Sequence, residues 1–232
     1  MNISKRLKTV AGLITEGNII ADIGTDHGYI PIYMVTERNT PYAYAMDVNM
    51  GPLKRAKDNI DAYGVTDKVE TRLSDGLKGL QPGLAGSIVI AGMGGLLICK
   101  ILTEGMQTAK SAEELILSPH SDVDEVRVFL AKNHFETVDE VMVLDEGKYY
   151  FVLKAVPTDA ECETPDDLER FFGRHLLMKK DPVFTDYLKN EVVKKEEILK
   201  KLREYSSDTE RLREVEEELA RIRKGLEICE SK

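Results

Sequence analysis

Five short apolar runs, each closed by Gly, Asp or Pro and each followed by a segment able to form a helix, constrain this chain more than any other feature. They are NIIADIG (18–24), YAYAMDV (42–48), KVETRLSD (68–75), SIVIAGMGG (87–95) and ELILSPH (114–120). A strand–helix repeat needs a crossover at every step, so its strands run parallel and are covered on both faces. Helix-start residues agree. Asn49 precedes GPLKRAKDNI, and Ser121 precedes DVDEVRVFLAK with Asp124 three residues on, an acidic variant of a capping box. The pattern then breaks. HFETVDEVMVLDEGKYYFVLKAV (134–156) reads as two strands with a turn at Glu146-Gly147. With no helix between them, they must be antiparallel.

From Pro157 the character changes again. Thr164-Pro165-Asp166-Asp167 reads as an N-cap, a proline at the first helical position and early acids, and Asp181-Pro182 repeats the signal. Leu212, Val215, Leu219, Ile222, Leu226 and Cys229 step 3, 4, 3, 4, 3, which is a heptad seam. Leu188, Val192, Leu199 and Leu202 form a weaker one, with Lys195 at a seam position. Ser206-Ser207-Asp208, with Glu210 completing a capping box from Ser207, breaks the two apart. The reading is an antiparallel helical hairpin of three or more turns per arm; the alternative is one continuous helix that dimerises. The expected domains are residues 1–157 and 158–232.

The segment Asp22-Ile-Gly-Thr-Asp-His-Gly-Tyr29 directly follows the first apolar run. A strand, a glycine turn and a helix bring backbone close to a ligand at the carboxyl edge of a sheet. Gly24 and Gly28 occupy the first and third glycine positions of the acid-x-G-x-G-x-G pattern, and Asp26 replaces the middle one. A carboxylate there would repel a pyrophosphate, which argues against a dinucleotide. It suits S-adenosylmethionine, which has no phosphate and carries an ammonium and a sulfonium. Asp47 lies 25 residues after Asp22, with Val48 beside it, and is placed to bond ribose hydroxyls. Asp75-Gly76 ends the third run, where an acid can read an adenine amino group. One such acid is ordinarily a turn or cap residue; three at the ends of three successive strands favour a shared site. The fourth run ends Ala91-Gly92-Met93-Gly94-Gly95. Its glycines leave room and unclaimed backbone groups for a base or for the methionine end of the cofactor. The Asp/Asn-Pro-Pro-aromatic motif of adenine amino-group methylases is absent. Five strand–helix units ending in an antiparallel pair is the layout of class I methyltransferases, here a Rossmann-like α/β sheet with a C-terminal α-helical coiled-coil hairpin.

Lys and Arg number 32 against 41 Asp and Glu, for a net charge of −9, so binding to a polyanion would need a local basic patch. Lys5, Arg6 and Lys8 form one candidate and Lys54, Arg55 and Lys57 another; each could equally be a solvated helix face. Cys99, Cys162 and Cys229 have no metal or redox spacing, so no metal is expected, and sparse thiols fit a reducing cytoplasm. Neither a signal peptide nor a membrane span is expected.

DIGTDHGYIP with AMDVN, SDGL and AGMGG, together with the opening ISKRLKTVA and the late EGKYY, resembles the bacterial tRNA adenine-22 N1-methyltransferases, the TrmK family. The resemblance covers residues 3–155. Ser118-Pro119-His120 departs from the Gln-Pro-Asn expected in many members. The resemblance implies transfer of a methyl group to N1 of adenine 22 in tRNA. N1 is a lone-pair nucleophile that needs no deprotonation, so catalysis reduces to alignment and to stabilising a cationic product. Asp26 is the candidate for the second task, with His27 as hydrogen-bonding or stacking partner. The alternative has Asp26 holding the cofactor ammonium and His27 packing on the loop. The target nucleotide must be extruded from its stack. Two further readings stay open: a methyltransferase of another RNA or a small molecule, and a silent binding module of the same fold. A monomer is expected, with a dimer through the helical arm as the alternative.

Overall fold

The computed structural model describes residues 1–205 and 208–231. The chain divides into two compact units, Met1–Thr164 and Pro165–Lys232. The hairpin strand that ends at Pro157 and the segment after it therefore fall in the first unit, seven residues beyond the boundary expected from sequence.

The first unit is a seven-stranded sheet, β1 (Ile20–Ile23), β2 (Ala43–Asp47), β3 (Val69–Leu73), β4 (Ser87–Ala91), β5 (Glu114–Ser118), β6 (Phe135–Asp145) and β7 (Lys148–Pro157). Its helices are α1 (Lys5–Leu13), α2 (Tyr29–Glu37), α3 (Met50–Ala62), α4 (Gly95–Glu104), α5 (Met106–Ser111) and α6 (Val123–Lys132). Strand order is β3-β2-β1-β4-β5-β7-β6. The first five strands pair in parallel. β7 enters antiparallel between β5 and β6, which the one-dimensional pattern does not show.

Alternation along the strands builds two cores. Ile20, Ala43, Ala45, Val89 and Ile116 face Val10, Ile32, Ala56 and Ile60 of α1, α2 and α3. Ala21, Ile23, Met46, Ile88, Ile90, Leu115 and Leu117 face Ile98, Leu102, Ala109, Val126 and Leu130 of α4, α5 and α6. Both faces being covered, β1, β2, β4 and β5 read as unbroken apolar runs. Helices change side between β1 and β4, so a crevice opens at the carboxyl ends of those two strands, where doubly wound sheets bind ligands.

In this unit the start of α6 differs from expectation, and that of α3 holds by position without a side-chain cap. At α6 the N-cap is Asp122, at φ 53°, and the Ser121 hydroxyl donates to its carboxylate instead of capping the helix. Asn49 does precede α3, but its side chain makes no cap; its amide donates to Asp47 Oδ1 at 2.7 Å.

The second unit contains α7 (Asp167–Phe172), α8 (Arg174–Lys179), α9 (Pro182–Tyr205) and α10 (Thr209–Glu230). Asp166, not Thr164, caps α7 in a full capping box with Glu169, because a carboxylate two residues nearer the helix accepts the Glu169 amide at 2.8 Å. Asp181 caps α9 as expected. α9 and α10 form the hairpin: Lys189–Glu230, Arg223–Glu196 and Arg203–Glu216 pair in antiparallel register. Leu188, Leu199, Val215, Leu219, Ile222 and Cys229 are buried along the seam. Lys195, the polar residue in the seam, pairs with Glu218 of the facing helix. The turn residues Ser206 and Ser207, with the capping box expected from Ser207, lie outside the described residues; α10 is capped by Asp208, which accepts from the Arg211 amide. No described helix is long and apolar enough to cross a membrane.

Candidate active site

The crevice is built on the turn after β1. Gly24 has φ 78° and Gly28 φ 68°, left-handed conformations that favour glycine. The amides of Gly24 and Thr25 both donate to the Met46 carbonyl of β2, at 2.8 and 2.9 Å. They therefore do not form an outward nest of N–H groups for a phosphate, in agreement with the acid at position 26. α3 holds the turn from the side. Asn59 Nδ2 donates to the His27 carbonyl at 2.9 Å, Gly28 packs on Ala56, and Arg55 clasps Asp26 through Nε at 3.1 Å and through Nη2. Asp26 also lies 3.2 Å from His27 Nε2, and the His27 ring stacks on Tyr29 with centroids 5.1 Å apart.

A cavity of about 180 Å³ opens here, lined among others by Arg6, Asp22, Thr25, Asp26, His27 and Ala91. Asp22 is 6% exposed. Burial raises its carboxyl to about 6, against the pull of the Thr25 hydroxyl and the Arg6 guanidinium, and Asp47 adds to the rise. Asp47 ends β2 with Oδ1 engaged by the Asn49 amide, and Val48 beside it is exposed. Asp75 does not line the cavity. It is exposed and bonded to Lys78 at 2.5 Å, which holds its carboxyl below the ordinary range. Gly76, at φ 57°, packs against Ile101 of α4.

The loop after β4 corrects one expectation. Its backbone is not unclaimed: Gly92 N donates to the Ser118 carbonyl at 3.0 Å, the Met93 carbonyl accepts from His120 N at 2.9 Å, and Gly95 N donates to the Ser121 carbonyl at 2.9 Å. The glycines serve close packing instead. A Cβ on Gly95 would stand 2.4 Å from the Asp122 carbonyl oxygen, and one on Gly94 3.2 Å from Ser121 Oγ. The Met93 side chain folds over the first turn, so that a Cβ on Gly24 would lie 1.9 Å from its Cε.

The two basic clusters are not uniform. Lys5, Lys8, Lys54 and Lys57 are exposed. Arg55 is turned to Asp26, and Arg6 points inward: its carbon Cζ lies 5.3 Å from the Tyr150 ring centroid, and Nη1 is buried. The sequence reading missed Arg6 as a cavity residue, and with it Thr25 and Tyr29. His120 and Tyr150 meet with ring centroids 5.4 Å apart beside Gly92.

A doubly wound sheet closed by an antiparallel pair, with an acid-and-glycine turn at its switch point, defines a class I methyltransferase. Residues 3–153 match the methyltransferase-domain family. The tRNA (adenine(22)-N(1))-methyltransferase of Bacillus subtilis is 34% identical over 223 residues, covering 95% of this chain and 93% of the relative. A Streptococcus pneumoniae protein solved in complex with S-adenosyl-L-methionine superposes with a TM-score of 0.86 at 32% identity, covering 97% of this chain and all of that one. The M. capricolum TrmK structure with S-adenosylhomocysteine gives 0.84 at 28% identity, covering 98% and 99%. The chain belongs to the bacterial tRNA (adenine(22)-N(1))-methyltransferase family.

Proposed function

We propose that this protein transfers a methyl group from S-adenosylmethionine to N1 of adenine 22 in tRNA. The observation that carries the reading is the crevice at β1 and β4, where buried Asp22, the Gly24 turn and Asp47 converge while the turn amides face Met46. These groups fit the cofactor. Asp22 and Asp47 supply acceptors for an ammonium and for ribose hydroxyls, Asp75-Gly76 lies at the next strand end, and the Gly92-Met93-Gly94 loop borders the turn at Gly24 through the Met93 side chain. When bound, the cofactor supplies an electrophilic methyl group on sulfur.

The chain's own work is positioning and charge. The stacked His27 and Tyr29 rings present an aromatic face at the mouth of the turn, suited to an extruded base. Adenine N1 becomes cationic on methylation, and the Asp26 carboxylate beside that face stabilises the developing charge. Arg55 and His27 hold the carboxylate in place without burying it, since its side chain is 60% exposed. Asp26→Asn is therefore expected to lower kcat by about 10- to 100-fold while cofactor affinity stays within about threefold; a variant with full kcat removes Asp26 from this role.

The tRNA body needs cations outside the cavity. Lys5, Lys8, Lys54 and Lys57 are the candidates, with exposed Arg55 paired to Asp26 and Arg6 drawn into the cavity. Lys5→Glu combined with Lys8→Glu is expected to weaken tRNA binding and to reduce the slope of log affinity against log salt by about 1 per lysine. An unchanged slope excludes that face.

The function is tested by incubating the protein with unmodified tRNA and methyl-labelled S-adenosylmethionine and then analysing nucleosides. Label in 1-methyladenosine supports the reading. Label in N6-methyladenosine overturns the N1 assignment, and no transfer despite cofactor binding favours a silent module.

A further inference from the structure

The acids that fit the cofactor, Asp22, Asp47 and Asp75, stand at or just beyond the ends of β1, β2 and β3, and leave the edge at β4, β5 and β7 for the substrate. Gly92, His120 and Tyr150 meet on that edge. The His120 amide donates to the Met93 carbonyl at 2.9 Å, which fixes the residue against the loop after β4. Its ring rests against Tyr150, with centroids 5.4 Å apart and planes inclined by 51°. Cε1 and Nε2 stand 3.8 and 4.0 Å from the point where a side chain on Gly92 would begin, and Arg6 Nη1 stands 3.8 Å from it. Gly92 is exposed, at φ 92°, so the floor between these groups carries no side chain and stays open to a flat ring.

The imidazole itself is uncommitted. His27 Nε2 lies against Asp26 and His134 Nδ1 against the Ala160 carbonyl, whereas His120 is exposed and neither of its ring nitrogens has a partner among the described residues. Desolvation by its neighbours, then the Arg6 and Lys148 cations, push the His120 imidazolium below its ordinary value. At neutral pH the ring is therefore uncharged, with one nitrogen a donor and the other an acceptor.

An uncharged acceptor suits an adenine attacking through N1. Methylation spreads positive charge over N1, C6 and the 6-amino nitrogen, so the amino N–H becomes a stronger donor as the new bond forms. A hydrogen bond to it is stronger in the transition state than in the ground state, which is the condition for accelerating the step. An imidazolium would oppose the same charge.

We propose that His120 reads the target adenine, an imidazole nitrogen accepting from the 6-amino group while Gly92 leaves the room and Tyr150 supports the ring. The proposal rests on the adenine N1 reading above and adds the residue that recognises the base.

The test measures single-turnover methyl transfer at saturating S-adenosylmethionine by the wild type, His120→Gln and His120→Phe. Gln keeps an acceptor oxygen; Phe keeps a ring against Tyr150 and has no acceptor. On an unmodified transcript with adenine at position 22, His120→Phe is expected to be about 30-fold slower than the wild type, and His120→Gln within about threefold of it. A second transcript carries unsubstituted purine at position 22, which keeps N1 and lacks the 6-amino group. There the wild type and His120→Phe are expected to agree within about threefold. An equal deficit of His120→Phe on both transcripts overturns the proposal, as does His120→Phe matching the wild type on adenine. His120→Gln as slow as His120→Phe, or slower, assigns the ring to packing and also overturns it. In each of these cases 1-methyladenosine formed by the wild type leaves the N1 reading standing, whereas a wild type that methylates neither transcript overturns that reading as well.

Discussion

Asp22→Asn raises the unfolding temperature of the ligand-free protein at pH 7.5 while weakening S-adenosylmethionine binding by about 100-fold. The two effects have one cause. Burial lifts the Asp22 carboxyl from 3.8 to about 6, so the folded protein holds a proton that the unfolded chain has released between those values. The penalty is absent below pH 3.8, grows between pH 3.8 and about 6, and is complete above, where it amounts to roughly 3 kcal/mol. That cost is already net of the attraction of Arg6, and an amide at this position escapes it, for a gain of about 2–3 kcal/mol. Thermal unfolding from pH 4 to 8 checks it: the variant and the wild type should converge at the acid end and diverge toward neutrality. A variant less stable than the wild type at pH 7.5 would contradict the burial argument. Cofactor affinity of the wild type should fall below pH 6 by about tenfold per pH unit, since an ammonium ligand needs the ionised carboxylate.

Gly95→Ala is expected to lower the unfolding free energy by about 2–3 kcal/mol, or roughly 4–12 °C in melting temperature, and to abolish methyl transfer. The added carbon would stand 2.4 Å from the Asp122 carbonyl oxygen and 2.6 Å from that of Ser121. Both are backbone atoms. Asp122 already sits at φ 53°, so the turn has little freedom to withdraw. Displacing it breaks the Gly95–Ser121 and His120–Met93 hydrogen bonds that lock the loops after β4 and β5. Gly12→Ala is the control: it lies in α1 with nothing within 4 Å of an added carbon, and is expected to be neutral or to stabilise by up to about 1 kcal/mol. Melting of Gly95→Ala within a degree of the wild type would show that the loops yield.

Much of this was readable before any coordinates, because parallel strands covered on both faces must be apolar throughout. β1, β2, β4 and β5 stood out for that reason, and the turn Asp22–Tyr29 announced itself through glycines that its φ angles demand. The position of β7 between β5 and β6 could not be read, since strand order depends on which edge a hairpin joins and not on its own pattern. The basic run at the start misled for a simple geometric reason. Lys5 and Lys8 are three apart and share a helix face, whereas Arg6 is about 100° round the helix from Lys5 and so points elsewhere. Counting charges as a patch concealed the residue that enters the cavity. The loop Gly92–Gly95 follows β4, and its glycines, which the sequence suggests as space for a ligand, make space for another loop through contacts with Ser121 and Asp122. Asp75 shows what an acid's position alone leaves out: Lys78, three residues on, pairs with its exposed carboxylate, which the strand end does not reveal.

The most direct measurement of the central claim uses two unmodified tRNA transcripts that differ only at position 22, adenine in one and guanine in the other. Each is incubated with the purified protein and methyl-labelled S-adenosylmethionine. About one methyl group per molecule is expected in the adenine transcript, recovered as 1-methyladenosine, and none in the guanine transcript. Equal labelling of both would contradict it, placing the methylated atom elsewhere in the tRNA.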